Sequence, residues 1–202
     1  MTIFFTEIES SFSRALAGFF TANGDTVTFD PAVSADFFID TTDCRDPGDD
    51  RAAGDGIDAE TAVQSFRANV SEPLALLSQV LPRMRGKRRV CFLTTRDASV
   101  NWSTATTGYG RNMAKAALHQ ILTISKNGLR EKGFTFRLFD PMTGEVPPEK
   151  AAASAYACFT RDRFDDGWGN GPGRPDRDDE NNLVIRDALG REIPWSNERR
   201  TT

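Results

Sequence analysis

Several classes of protein are excluded by what this sequence has little of. Positive charge is not in surplus: 25 Lys and Arg stand against 29 Asp and Glu, a formal net charge of -4 with a pI near 5.1. That balance offers no electrostatic footprint for nucleic acid or for an anionic membrane. No stretch approaches the ~18 consecutive apolar residues of a membrane span. The opening MTIFFTEIESS carries acidic residues where a secretory signal would be positive. A cytoplasmic protein with no nucleic-acid and no membrane partner is expected. Cysteine is scarce, and Cys44, Cys91 and Cys158 are odd in number and far apart, which argues against a disulfide framework and against paired-cysteine zinc sites. His119 is the single histidine, so no metal is expected. There is no GxSxG phrase and no P-loop.

What remains is an ordinary globular composition, 39% hydrophobic and 27% charged over 202 residues, enough for one core and one domain, 1–202. Strand and helix signals alternate. TIFF reads as a strand, and SSFSRALAGFFTANG as a helix with Phe12, Leu16 and Phe19 in period, stopped at Gly24. DTVTFD and ADFFID are strands, the second apolar without alternation, as a strand buried on both faces should be. The polar run from Thr41 to Ile57 reads as a loop. A long helix follows over about 58–85, bent at Pro73, then the strand RRVCFLTT, a helix over about 112–132 and the strand FTFRLFDP. PPEKAAASAYACF is a further helix, and LVIRDALGREIPW a last strand or hairpin turning near Asp187 to Gly190. This alternation predicts an α/β, three-layer, doubly wound Rossmann-like fold with a mostly parallel sheet of about six strands.

Residues 162–182 differ from the rest, being dominated by Asp, Gly, Asn, Arg and Pro. They read as an exposed acidic, glycine-rich loop. Within it DRDDENN, Asp176 to Asn182, alternates oxygen ligands but lacks EF-hand spacing, so it is read as a solvated acidic loop rather than a calcium site. The paired phenylalanines are read as core.

The order of these elements, together with RANVSEPLALLSQVLPRMRGKRRVCFLTT, NMAKAALHQILTISKNGLREKG and FRLFDPMTGEV, resembles the short-chain dehydrogenase/reductase family. The resemblance runs from residue 2 to about residue 158 and implies a nicotinamide cofactor in the first βα turn. That turn in the family uses three glycines, because backbone must approach the pyrophosphate at a helix N-terminus. Here the three places fall on Glu7, Ser11 and Ser13. A carboxylate about 4 Å from a phosphate repels it by roughly 4 kcal/mol near a protein surface. Ser11, Ser13 and Asp30, the last at the place of the family's ribose-binding carboxylate, are the candidate cofactor-binding residues. The family's Asn-Asn-Ala-Gly phrase corresponds to Asp40, Thr41, Thr42 and Asp43, which sets two further carboxylates toward the cleft.

By the same resemblance the catalytic places fall on Asn69, Thr95, Arg111 and Lys115, with Arg111 where a tyrosine is expected four residues before the lysine. The family's tyrosine supplies a proton to the alkoxide left by hydride transfer, its pKa lowered by the lysine. Arginine stays charged and cannot exchange that proton. Tyr109, six before Lys115, is either a substitute reaching in from a loop or a surface side chain; residues on one helical face are three or four apart. No room remains between DTVTFD and ADFFID for the family's intervening helix and strand, so the sheet is one strand-helix unit shorter than usual. Two functions follow as expectations. One is a degenerate, cofactor-free, non-catalytic subunit assembling with itself or an active relative through the two long helices. The other is an NAD-dependent oxidoreductase on a sugar, polyol or other small carbonyl or alcohol, using Asn69, Thr95, Tyr109 and Lys115 with Asp30.

Overall fold

The computed structural model describes residues 1–44, 47–161 and 183–193. The 162–182 loop, its Asp176 to Asn182 phrase, and the end of the last strand at Trp195 lie outside the described residues. Seven strands form one sheet in the order β2-β1-β3-β4-β5-β6-β7. They are β1 (Thr2–Phe5), β2 (Thr26–Thr28), β3 (Phe37–Asp40), β4 (Arg89–Leu93), β5 (Thr135–Asp140), β6 (Ile185–Asp187) and β7 (Glu192–Ile193). All neighbours are parallel except β6 and β7, which close an antiparallel hairpin. The helices are α1 (Ser11–Ala22), α2 (Ala59–Phe66), α3 (Glu72–Val80), α4 (Tyr109–Leu129) and α5 (Pro148–Thr160).

The phenylalanine pairs explain why the sheet is covered on both sides. Successive strand residues point to opposite faces, so Phe4 and Phe38 enter one core with Val70, Val80, Leu118 and Leu122, while Phe5 and Phe37 enter the other with Leu16, Phe20, Ala152 and Phe159. Phe4 stacks on Phe38 with ring centroids 5.4 Å apart, and Phe38 meets Phe92 at 5.6 Å. Helices α1 and α5 therefore cover one face, and α3 and α4 the other. On α1 the buried residues Phe12, Leu16 and Phe20 recur every fourth position. Gly24, at φ 83°, takes the left-handed turn that ends the helix.

Several boundaries differ from expectation. The sheet has seven strands, because the terminal hairpin contributes two. The long helix is interrupted by a π turn at Arg67–Ser71, upstream of Pro73. Pro73 itself lies in the first turn of α3, where its missing N–H costs nothing. The next helix begins at Tyr109, earlier than its run of strong helix formers suggests. The polar loop before α2 contains short 3-10 turns at Pro47–Asp50 and Ala53–Asp55.

One connection is unusual. β2 returns to β3, on the far side of β1, through residues 29–36 alone, whereas a parallel crossover ordinarily needs a dozen or more residues and a helix. Asp36 fastens the return: its N–H donates to Thr2 O at 2.8 Å, and Thr2 N–H donates to its Oδ2 at 2.7 Å.

Candidate functional site

Ligands of open α/β sheets bind outside the carboxyl ends of the strands, where the chain switches from one face to the other. Here that point lies between β1, followed by α1 on one face, and β3, which leads to α2 and α3 on the other. A cleft of about 930 Å³ opens there, between the β1–α1 turn, the end of β3, Leu93 of β4 and the segment from Pro141 to Ala151.

The turn that should be glycine is occupied by side chains. Glu7 and Ser11 line the cleft with Glu9 and Ser10. Ser13 does not: it is buried in the first turn of α1, where its N–H donates to Ser10 Oγ at 3.0 Å and its hydroxyl to Ser10 O at 3.0 Å. Burial pushes the Glu7 carboxyl up from its ordinary pKa, and the charges of Asp40 and Glu9 push it further. Asp30 is exposed at the end of β2, with its Oδ1 accepting from Ala32 N–H at 2.8 Å. This is an Asx turn. Of the carboxylates expected beyond β3, Asp43 lines the cleft. Asp40 is buried beneath it; its Oδ1 accepts from the hydroxyls of Thr6 at 2.9 Å and Thr42 at 2.8 Å.

Lys115 is fully buried on α4 and donates to Thr42 O at 2.6 Å and Leu93 O at 3.1 Å. Burial drives its pKa down, against the pull of Asp40 and Asp43, and drives that of Asp40 up, against Lys115. One turn before Lys115, Arg111 is buried too, and its Nε donates to Asp43 Oδ1 at 2.5 Å. One turn after it, the His119 ring meets the Thr94 hydroxyl, and burial with the nearby Lys115 charge lowers its pKa to about 3. Arg111, Lys115 and His119, at i, i+4 and i+8, thus form one inward polar row.

Tyr109 is on another face. It is the first residue of α4, not part of a loop before it, and its hydroxyl accepts from Asp58 N–H at 2.8 Å. Asn69 lies within the π turn, with its Oδ1 accepting from Cys44 N–H at 3.1 Å and its Nδ2 donating to Cys44 O and Ser65 O. Thr95 caps a 3-10 turn by accepting from Asp97 N–H at 3.3 Å. Among the described residues, Asn69, Thr95, Tyr109 and Lys115 therefore each bond to backbone and none bonds to another.

Sequence reading missed Asp49, which holds the start of α4. Its two carboxylate oxygens accept from Gly110 N–H at 2.7 Å and Arg111 N–H at 2.8 Å, and its carbonyl from Gly108 N–H at 2.7 Å. Gly110 permits the approach, since a Cβ there would lie 2.8 Å from Ser65 Oγ and 2.9 Å from Asp49 Oδ1. The signal was weak because partners 61 positions apart cannot be matched by spacing. Among the described residues no three His, Cys, Asp or Glu side chains are placed to hold a metal, and no helix is long and apolar enough to cross a membrane.

No family model matches the sequence. Solved structures match it closely in shape. A carbonyl reductase from Pseudomonas aeruginosa PAO1 in complex with NADP superposes with a TM-score of 0.71 at 19% identity, over 96% of this chain and 100% of that one. An oxidoreductase of the short-chain dehydrogenase/reductase family from Brucella ovis, with a partially ordered NAD, gives 0.62 at 14% identity over 79% and 93%. This chain has the short-chain dehydrogenase/reductase fold. At these identities the likeness is one of fold. By sequence, the chain is 34% identical over 92 residues to C-signal from Myxococcus xanthus, a match covering 45% of this chain and 55% of that protein. About half of that relative's length is therefore matched. Ser11 of α1 and Asp43, beyond the end of β3, line the cleft just described, and Arg111 on α4 is tied to its edge through the ion pair with Asp43.

Proposed function

We propose that this protein is a degenerate short-chain dehydrogenase/reductase, without NAD(P) hydride transfer, that serves as a non-catalytic subunit of an assembly of this fold. The observation that carries the reading is Arg111. It stands four residues before Lys115, ion-paired to Asp43, where reduction of a carbonyl requires a group able to give up a proton. Tyr109 is bonded at Asp58 instead. Glu7 lines the cleft with a carboxylate at one of the family's glycine places, and the Lys115 ammonium is engaged by two carbonyls.

Assembly is supported by the outer surface of the paired helices. Met113 and Ile124, eleven residues and thus about three turns apart on α4, share one face, and they are 47% and 62% exposed. Val63 on the neighbouring α2 is 59% exposed. The partner is a second copy of this chain or an active relative presenting equivalent helices. Equilibrium titration with NADH and NADPH tests the catalytic half of the proposal, and tight binding of either dinucleotide would sink it.

A further inference from the structure

Charge in the cleft is one-sided. Among the described residues Glu7, Glu9, Asp43 and Glu145 line it, and no Lys, Arg or His does. Two of these carboxylates are answered, Asp43 by Arg111 and Glu145 by Arg96. Glu7 is half-buried, and among the described residues nothing donates a hydrogen bond to its carboxylate or pairs with it. The same cleft has an apolar lining of Phe12, Leu93, Val146, Pro147 and Ala151.

A half-buried carboxylate without a partner penalises any neutral occupant, which would strip its water and return nothing, and it repels an anion. Its complement is a hydrogen-bonding cation, since charge-assisted contacts are the strong ones. A bare metal ion does not suit the site, because no three ligating side chains converge among the described residues. The volume, about 930 Å³, falls within the ~300–1,000 Å³ of small-molecule sites, and the apolar wall calls for an apolar body. We infer that the cleft binds a small organic cation, a primary amine or guanidine on an aryl or alkyl body, with Glu7 as its counter-ion. The inference rests on the preceding reading only in requiring that a dinucleotide does not hold the cleft.

Calorimetric titration of the full chain with phenethylamine, 2-phenylethanol and 3-phenylpropionate compares one body carrying a cation, a neutral group and an anion. The amine binds at least about tenfold tighter than the alcohol, roughly one charge-assisted contact, and the acid does not bind. Glu7→Gln removes the preference for the amine. Should that variant fail to fold by circular dichroism, Ser11→Lys, at an exposed cleft position, weakens the amine by a comparable factor by supplying an internal cation. Equal binding of amine and alcohol, no amine binding at millimolar concentration, or a preference unmoved by either substitution overturns the inference. A parallel NADH titration, alone and with the amine present, reports separately: dinucleotide binding that leaves the amine affinity unchanged contradicts the proposed function and leaves this inference standing, whereas dinucleotide binding that displaces the amine overturns both.

Discussion

At Arg111 one substitution decides two questions, because the guanidinium removes a proton donor from the helix and also neutralises Asp43 at the cleft edge. The first effect was legible from the spacing to Lys115, since identity at a helical interval is a local property of sequence. The second was not, because Asp43 is 68 residues away. Tyr109 shows the same limit: its displacement was visible, while its bond to Asp58 required the packing of α2 on α4. His119 yields a prediction at this scale. Burial holds its pKa at about 3, against an unfolded value of about 6.5. A depressed folded pKa means that its contribution is fully present above pH 6.5 and is lost as pH falls toward 3. The slope is about 1.4 kcal/mol per pH unit. Between pH 7 and pH 5 His119 therefore removes roughly 2 kcal/mol of stability. Urea titrations at the two pH values should show that His119→Gln loses less stability than the unaltered protein by about this amount.

Among the elements, α4 illustrates how a helix start depends on distant sequence. Gly108 precedes it in a left-handed conformation with no side-chain cap of its own, and the orphan N–H groups of the first turn are met by Asp49 from another loop. An anion there also suits the helix dipole. Asp49→Ala should destabilise the fold by about 1–2 kcal/mol, whereas Asp50→Ala, at the exposed neighbour, should change denaturant midpoints little. An equal effect of the two would show that the cap is idle. Most elements were legible from periodicity, and the shortened β2–β3 connection from length alone. The interruption of the long helix was misplaced at Pro73 because a proline is a visible breaker. The actual π turn has no such marker and coincides with Asn69 binding Cys44.

For the whole molecule, the parallel character of the sheet was implied by strand-helix alternation, and both cores follow from the paired phenylalanines. The acidity of the cleft was partly legible at Glu7 and Asp43, while its apolar wall from Pro141 to Ala151 emerged only when β5 and α5 were brought beside α1. Assembly is a property of this scale. Met113→Glu with Ile124→Glu places two charges on the outer face of α4, away from both cores. Light scattering should show an oligomer for the unaltered chain and a smaller species for the double variant, with unchanged far-UV circular dichroism. A unaltered chain that is monomeric alone, and remains so with active relatives, would remove the assembly role. The central claim, that the chain keeps the dehydrogenase fold without its cofactor, is tested most directly by calorimetric titration with NADH and NADPH at neutral pH. No saturable heat should appear up to about 1 mM of either, and a dissociation constant of about 10 µM or tighter for one of them would contradict the claim.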